Sequence, residues 1–233
     1  MSEFFLELFS EEIPANLQST ARENLIKEFK NFFQKEKIVY KDEFRVISTP
    51  NRLVLYLKNI KKEIFKPSEE IRGPSVEAPE KAIDGFIKSN RAEKKFIFKK
   101  NTDRGEFYFF KKPSEKIKTS DILANEIPII LEKLDWKKSM KWGDHNLYWG
   151  RPLKSILSFF DGKLLKFRFH HLTSSNSTYI EKDFEEKTKK FNNINSYLTY
   201  FNNRNIIIDN ELRKKIIEEE LLKFSKKKNL KIS

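Results

Sequence analysis

Apolar residues open this chain almost without interruption, FFLELF over residues 4–9, a run short enough to be a buried strand. Pro14 then offers the first turn of a helix. From Ala15 to Lys37 the apolar positions Leu17, Ala21, Leu25, Phe29, Phe32 and Phe33 recur at spacings of three and four, which places them on one helix face. FRVIS (44–48) follows, then a break at Thr49-Pro50-Asn51. In RLVLYLKNI (52–60), Leu53, Leu55 and Leu57 alternate with Val54, Tyr56 and Lys58, as a strand with a buried face requires. The pattern over residues 1–62 is β-α-β-β. It predicts an antiparallel or mixed sheet covered by a helix, and hence an α+β fold.

The periodicity weakens from Lys61 to Pro79, where Pro67, Pro74, Pro79 and IRGPS (71–75) mark a connection. A short helix is predicted near Ala82–Ser89. FIF (96–98) and EFYFFKK (106–112) flank NTDRG and should pair as a hairpin, with Gly105 taking the positive φ angle. DILANEIPIILEKL (121–134) has a helical pattern that Pro128 should either kink or start. PLKSILSFF (152–160) and KLLKFRFHHL (163–172) are separated by Asp161-Gly162, a strong two-residue hairpin signal. In the second strand Leu165, Phe167 and Phe169 give a buried face, while Lys166, Arg168 and His170 give a cationic one. That face is either a solvated sheet surface or an RNA contact.

FNNRNIIID (201–209) reads as a strand leading to Asp209, which can cap a helix starting at Asn210. In that helix Leu212, Ile216, Ile217, Leu221 and Phe224 form a stripe close to the end of the chain, so its packing partner is expected in residues the chain lacks. Three parts are therefore expected: the β-α-β-β unit over 1–62, an α+β part with hairpins over 63–180, and a strand–helix segment over 181–233, cut short.

Composition narrows the chemistry. The 233 residues contain 22 Phe and are 38% hydrophobic against 35% charged, a globular balance. No apolar run approaches the roughly 20 residues of a membrane span, and the acidic N-terminus is unlike a signal peptide, so a cytoplasmic protein without a membrane partner is expected. Cysteine is absent, which removes disulfides and thiolate chemistry. Of the three His, the neighbours His170 and His171 point to opposite faces of a strand, which argues against a metal site. The net charge of +13 is consistent with a polyanionic partner. A Lys- and Asn-rich composition is also what an AT-biased genome produces in any protein, so charge alone does not decide the matter.

No Gly-rich phosphate loop and no nucleophile elbow occurs, and Glu11-Glu12 reads as the solvated start of a helix. By residue chemistry no catalytic residue is expected, although a Ser-His-Asp arrangement assembled by the fold stays open, since triads are spatial rather than sequential. The stretch KSMKWGDHNLYWGRP (138–152) is the richest in aromatic and basic groups. Trp142 and Trp149 can flank a turn at Gly143-Asp144 with both indoles on one core, and such rings are core anchors more often than base-stacking platforms. Lys141 and Arg151 then sit beside anchored positions, which holds their charges in place and suits phosphate contact.

FFLELFSEEIPA at the start, STPNRLVLYL (48–57), IRGPS (71–75), SMKWGD (139–144) and GRP (150–152) together resemble, in order and rough spacing, the N-terminal part of the β subunit of bacterial glycyl-tRNA synthetase. RNIIIDNELRKKI (204–216) is also similar to that family's strand and following helix. The resemblance implies a subunit of a class II glycine–tRNA ligase. In that family the α subunit holds the adenylation site and uses ATP and Mg2+, while the β subunit serves tRNA(Gly) binding in an α2β2 assembly. No cofactor is then expected on this chain, which alone should be inactive. Family members are longer, with a later HD-type domain and an anticodon-binding domain, so the chain is expected to be a fragment, a truncated product or half of a split gene. The connection after IRGPS is short, and SSNSTYIEKDF (174–184) replaces a family segment. Arg52, Arg72, Lys141 and Arg151 lie in the family-like motifs beside Pro or Gly turns and are the candidates for tRNA backbone contact. For all four the alternative is a structural bridge from a turn to a carboxylate or carbonyl, which suits Arg52 and Arg72 at least as well. A scaffold that makes only protein contacts is the competing function.

Overall fold

The apolar run at the N-terminus becomes β1 (Ser2–Ser10), the middle strand of a five-stranded antiparallel sheet. Its neighbours are β3 (Arg52–Ile60) and β9 (Leu153–Phe160), with β2 (Arg45–Thr49) and β10 (Lys163–Leu164) at the edges. Antiparallel pairing sets Glu7 opposite Val54 on one side and Leu157 on the other. Since side chains alternate along a strand, Phe4, Leu6 and Leu8 face one way and Phe5, Glu7 and Phe9 the other. Both faces are covered, which is why β1 is apolar at nearly every position. α1 (Ala15–Lys35) lies on the first face through Leu25, Phe29 and Phe33, with the Phe4 and Phe29 rings 5.6 Å apart. It ends where Lys37 adopts a left-handed φ of 55°. On the second face Phe5 stacks on Phe159 at 4.9 Å and meets Tyr197 at 4.6 Å.

Tyr197 belongs to α4 (Ile194–Asn202), an element the sequence pattern did not disclose. Asn193 caps it by accepting from the Ser196 amide at 2.7 Å. Phe191, Ile194, Tyr197 and Phe201 are buried against Phe5, Val54, Leu157 and Phe159. The strand expected over 201–209 is therefore the end of this helix followed by an irregular link, because Phe201 points into the core on a helical period. The expected cap at Asp209 is present: its carboxylate accepts from Glu211 and Leu212 amides and starts α5 (Asn210–Lys228).

The structure, a computed structural model, describes residues 2–181 and 187–230, so residues 182–184 of the segment 174–184 lie outside it. The chain folds as two compact units rather than as three consecutive parts: residues 1–62 with 119–233, and residues 63–118. In the smaller unit the stretch expected to be a mere connection contains β4 (Glu63–Lys66) and β5 (Glu69–Ser75). Their partners lie far along the chain: β4 pairs with β8 (Glu115–Lys118), and β5 with β7 (Gly105–Lys112), which also pairs with β6 (Ile97–Thr102). Pro74 is tolerated because the β5 register shifts between Arg72 and Ser75 on an edge strand. Gly105 takes the expected positive φ, 104°, in the β6–β7 hairpin. Gly73 lies under α2 (Glu80–Asn90): a Cβ there would come 2.7 Å from the Phe86 ring.

In the larger unit α3 (Thr119–Glu132) begins at Thr119, whose hydroxyl donates to the Lys61 carbonyl at 2.7 Å, and Pro128 lies within it rather than at its start. Asp161 and Gly162 form the expected turn with φ of 52° and 76°. The long strand expected beyond them is divided. After β10 the chain leaves the sheet, and the Ser174 side chain takes over its backbone groups, accepting from the Phe167 amide and donating to the Leu165 carbonyl, both at 2.8 Å. β11 (Arg168–Phe169) and β12 (Leu172–Thr173) then make a separate small hairpin. The predicted alternation survives, with Leu165, Phe167 and Phe169 buried. β13 (Ser177–Glu181) pairs with β14 (Lys187–Lys190).

One acid lies inside this core. Glu7 is 0% exposed at the centre of the middle strand. Arg52 Nη1 donates to it at 3.0 Å and to Thr178 Oγ1 at 2.9 Å, and the hydroxyls of Thr178 and Tyr197 also donate to the Glu7 carboxylate. Arg52 is itself only 8% exposed and lies 4.6 Å from the ring centres of both Phe9 and Phe201. Burial opposes its charge most, but Glu7 and Tyr197 together more than offset that and leave its pKa raised. Burial and the same carboxylate push the Tyr197 hydroxyl well above its ordinary value, so it stays a proton donor.

Two stability measurements follow. Glu7→Ala strands a buried guanidinium and should cost about 3–5 kcal/mol in urea unfolding, whereas Glu7→Leu with Arg52→Met should cost less than Glu7→Ala alone. A Cβ at Gly150 would come 2.3 Å from the Trp136 ring. Gly150→Ala should therefore lose about 1–3 kcal/mol, while Gly85→Ala, in a helix with open space around it, should gain about 0.5–1 kcal/mol.

Candidate nucleic-acid interface

Several sequence motifs far apart in the chain meet at one end of the inner strands β1, β3 and β9 of the five-stranded sheet. The Glu11 amide donates to the Pro152 carbonyl and the Ser10 amide to the Asn51 carbonyl, both at 2.9 Å, and the Ile13 amide donates to the Pro50 carbonyl at 2.6 Å. Asn51 Nδ2 returns a bond to the Ser10 carbonyl at 3.2 Å. The turns at 10–14, 49–52 and 150–152 are thus joined by backbone groups. The choice of Pro and Asn at these bends follows from the geometry: Pro14 has φ of −54° at the start of α1 and presents its carbonyl to the Leu17 amide at 2.9 Å.

Two clefts flank this junction. One, of about 480 Å³, is lined by Phe9, Glu12, Asn51, Arg52, Tyr179 and Phe201 among others. The second, of about 240 Å³, lies between the start of α1 (Pro14, Asn16, Leu17) and Lys138, Met140 and Arg151. Lys154 pairs with Glu11 at 2.5 Å beside them.

The four candidate cations have different fates. Arg52 is turned inward, its donors used by Glu7, Thr178 and the Tyr179 carbonyl, so it is the structural bridge and not a surface contact. Arg72 belongs to the smaller unit, where it is exposed and stacks over Phe107 at 3.8 Å. Lys141 and Arg151 come together. Met140 and Trp149 form an antiparallel bridge with reciprocal bonds of 2.8 and 3.1 Å, Lys141 follows Met140 and is exposed, and Arg151 reaches back to the Met140 sulfur at 3.5 Å. Arg151 Nε also donates to the Glu12 carbonyl at 3.1 Å, which ties this guanidinium to the motif junction.

The two indoles expected on one core are separated. Trp149 is 2% exposed and packs with Trp136 at 5.1 Å and Phe169 at 5.8 Å. Trp142 lies outside, edge-on to His171 at 6.3 Å. All three histidines gather here, which the sequence reading did not foresee because it placed His170 and His171 on a continuous strand. They instead occupy the two-residue turn between β11 and β12, where His170 takes a φ of 51°. His145 lies flat on His171, with ring centres 3.6 Å apart and planes within 5°. His170 bonds the Glu132 carboxylate. Burial, then the proximity of His145 and His170, holds the His171 pKa below its usual value, so the stacked ring is neutral at neutral pH. Among the described residues no group of three or more His, Asp or Glu is placed to hold a metal ion. No helix among them is long and apolar enough to cross a membrane.

The resemblance of the motifs extends to the whole chain. A family described as Glycyl-tRNA synthetase beta subunit matches residues 4–233. The Glycine--tRNA ligase beta subunit of Rickettsia prowazekii (strain Madrid E) is 38% identical over 232 residues, covering 100% of this chain and 35% of that protein. The proteins of the same name from Rickettsia akari (strain Hartford) and Rickettsia canadensis (strain McKiel) are each 36% identical over 232 residues, with 35% and 34% of their lengths covered. The chain spans about a third of the length of these curated relatives. The match runs through the strands, turns and helices that build the junction, and the chain belongs to the glycyl-tRNA synthetase beta subunit family.

Proposed function

We propose that this chain is a tRNA-engaging and assembly portion of a glycine–tRNA ligase beta subunit, which acts on tRNA(Gly) in the cytoplasm together with an α subunit. The observation that carries the reading is the Arg151 guanidinium held at the motif junction, with exposed Lys141 next to the Met140–Trp149 bridge. Arg151 is held by the Glu12 carbonyl and the Met140 sulfur, and Lys141 projects from the same two-strand bridge. Cations held by a rigid backbone suit phosphate oxygens, because little conformational freedom is lost when the contact forms. The overall charge of +13 adds long-range attraction for a polyanion.

On this reading glycine activation belongs to the α subunit of an α2β2 enzyme, with ATP and Mg2+ bound there. The residues that the structure describes do not suit a nucleotide–metal site, since no carboxylates converge among them, and the sequence has no Gly-rich phosphate loop. The chain then contributes to transfer of the glycyl group by holding the RNA and not by proton or nucleophile chemistry.

A second reading, a scaffold that makes only protein contacts, draws support from α5. Leu212, Ile216, Ile217, Leu221 and Phe224 are between 37% and 54% exposed along it. The two readings separate in one experiment. Titration of tRNA(Gly) at several salt concentrations should give steeply salt-dependent binding, and Lys141→Glu with Arg151→Glu should weaken it about tenfold or more and lower the salt slope by about two. Charging in the presence of α subunit should fall in parallel. Unchanged charging by the double variant, with loss of α-subunit association on Ile216→Glu/Leu221→Glu, would establish the scaffold instead.

A further inference from the structure

The loop between Met140 and Trp149 has a feature that phosphate contact does not use. Its base is closed by the reciprocal backbone bonds of the two bridge residues, and Trp149 anchors it in the core. Gly143, with φ of 54°, reverses the chain, and Trp142 is left half-buried on the outside. Against it stand the His171 ring edge-on and His145 stacked flat upon His171. Each loop is held from behind. His170 is tied to Glu132, and Arg168 Nε donates to the His170 carbonyl at 2.8 Å, which fixes the exposed guanidinium beside the turn. Lys141, also exposed, adjoins Trp142 in the chain.

Three aromatic rings outside the core, with exposed Lys141 next to Trp142 in the chain and Arg168 bonded to the His170 carbonyl, pose a recognition problem with a narrow set of solutions. A large aromatic surface left half-open gains most from a partner with flat π faces, and the cations call for negative charge beside those faces. Unpaired nucleotides supply both. A duplex supplies the charge but hides its base faces in its own stack, and an acidic peptide supplies charge without planar groups. The neutral state of His171 matters, because a protonated pair at 3.6 Å would repel and open the stack. Asp144 is the one acid of the loop, and it lies at the Gly143 turn.

We propose that Trp142, His145 and His171, flanked by Lys141 and Arg168, form a stacking platform for unpaired nucleotides of the bound RNA. The inference deepens the proposed RNA-engaging role and rests on it. It assigns the platform to single-stranded nucleotides, whereas Arg151 serves the backbone.

Tryptophan emission of the 233-residue chain tests it. Trp136 and Trp149 are buried, so Trp142 is the indole open to quenching. A short single-stranded RNA should quench the emission, and a blunt RNA duplex of equal length should not. Trp142→Leu should remove the quenching and weaken single-strand binding about tenfold, with thermal melting and duplex binding unchanged, and Trp142→Tyr should restore binding. With whole tRNA, removal of the single-stranded 3′ tail assigns the nucleotides: the Trp142→Leu penalty disappears if the tail occupies the platform and persists if a loop does. Equal single-strand affinity of wild type and Trp142→Leu, equal quenching by duplex, or an emission change on adding α subunit but none on adding RNA would overturn the platform. If tRNA still binds with steep salt dependence in those cases, the platform alone falls. If no RNA binds at all, the proposed function falls with it.

Discussion

A carboxylate in the middle of a strand covered on both faces is the constraint from which much of this architecture follows. Glu7 cannot reach water, and an unpaired charge there would cost several kcal/mol. Its position therefore dictates what surrounds it. Arg52 must turn inward at the first residue of β3, Thr178 must come over from β13, and α4 must place Tyr197 on the same face. Phe9 and Phe201 flank the guanidinium and exclude water from the pair. One buried polar cluster thereby ties residues near positions 7, 52, 178 and 197 into a single arrangement. Replacing it by apolar groups could match it in stability, but nothing apolar would set the register of four elements so narrowly.

The same cluster explains why Arg52 is withdrawn from the surface. The turn Thr49-Pro50-Asn51 is bonded to residues 10 and 13, and Arg52 leaves it toward the interior. The turn at Gly150-Arg151-Pro152 is bonded to Glu11 from the other side, and Arg151 leaves it toward the Met140–Trp149 bridge. Two arginines beside similar turns thus reach different surroundings through the direction in which their side chains leave. Gly150 is needed because Trp136 lies where its Cβ would be. The aromatic core and the cationic edge are built from the same few turns.

Much of this was legible locally, and the exceptions share a cause. β1, α1 and β3 declared themselves through period and length, and the Asp161-Gly162 turn and the Asp209 cap through short-range chemistry that needs no distant partner. β5 was hidden because its strand character depends on pairing with β7, more than thirty residues away, and its Gly and Pro read as a turn. α4 was hidden by Asn-rich surroundings, although Asn193 followed by Ile194, Tyr197 and Phe201 carries a cap and a helical period that a closer reading of 191–202 could have found. The inward turn of Arg52 is one of two outcomes its sequence neighbours allow, because its partners at 178 and 197 meet it only in the fold. The histidine stack left no signal in spacing, because it joins two loops.

α5 shows how local and tertiary forces divide the work. A 19-residue helix is marginal by propensity alone, and its ion pairs, such as Lys214 with Glu218 at 3.8 Å, are exposed and contribute little. Its first turn is different. Asp209 caps it and pairs with Arg45 at 3.1 Å, Asn210 accepts from the Ser48 amide at 3.3 Å, and Arg213 donates to the Ser48 carbonyl at 3.2 Å. The helix is thus fixed to the end of β2, one residue before the Thr49–Asn51 turn, while its apolar side chains beyond that anchor stay exposed. A protein seated on those side chains would bury them at a gain of about 1.5–3 kcal/mol for each fully covered Leu, Ile or Phe. Through β2 it would also bear directly on the motif junction. The proposed protein contact on α5 and the proposed RNA contact at the junction would then be linked through a single strand, β2.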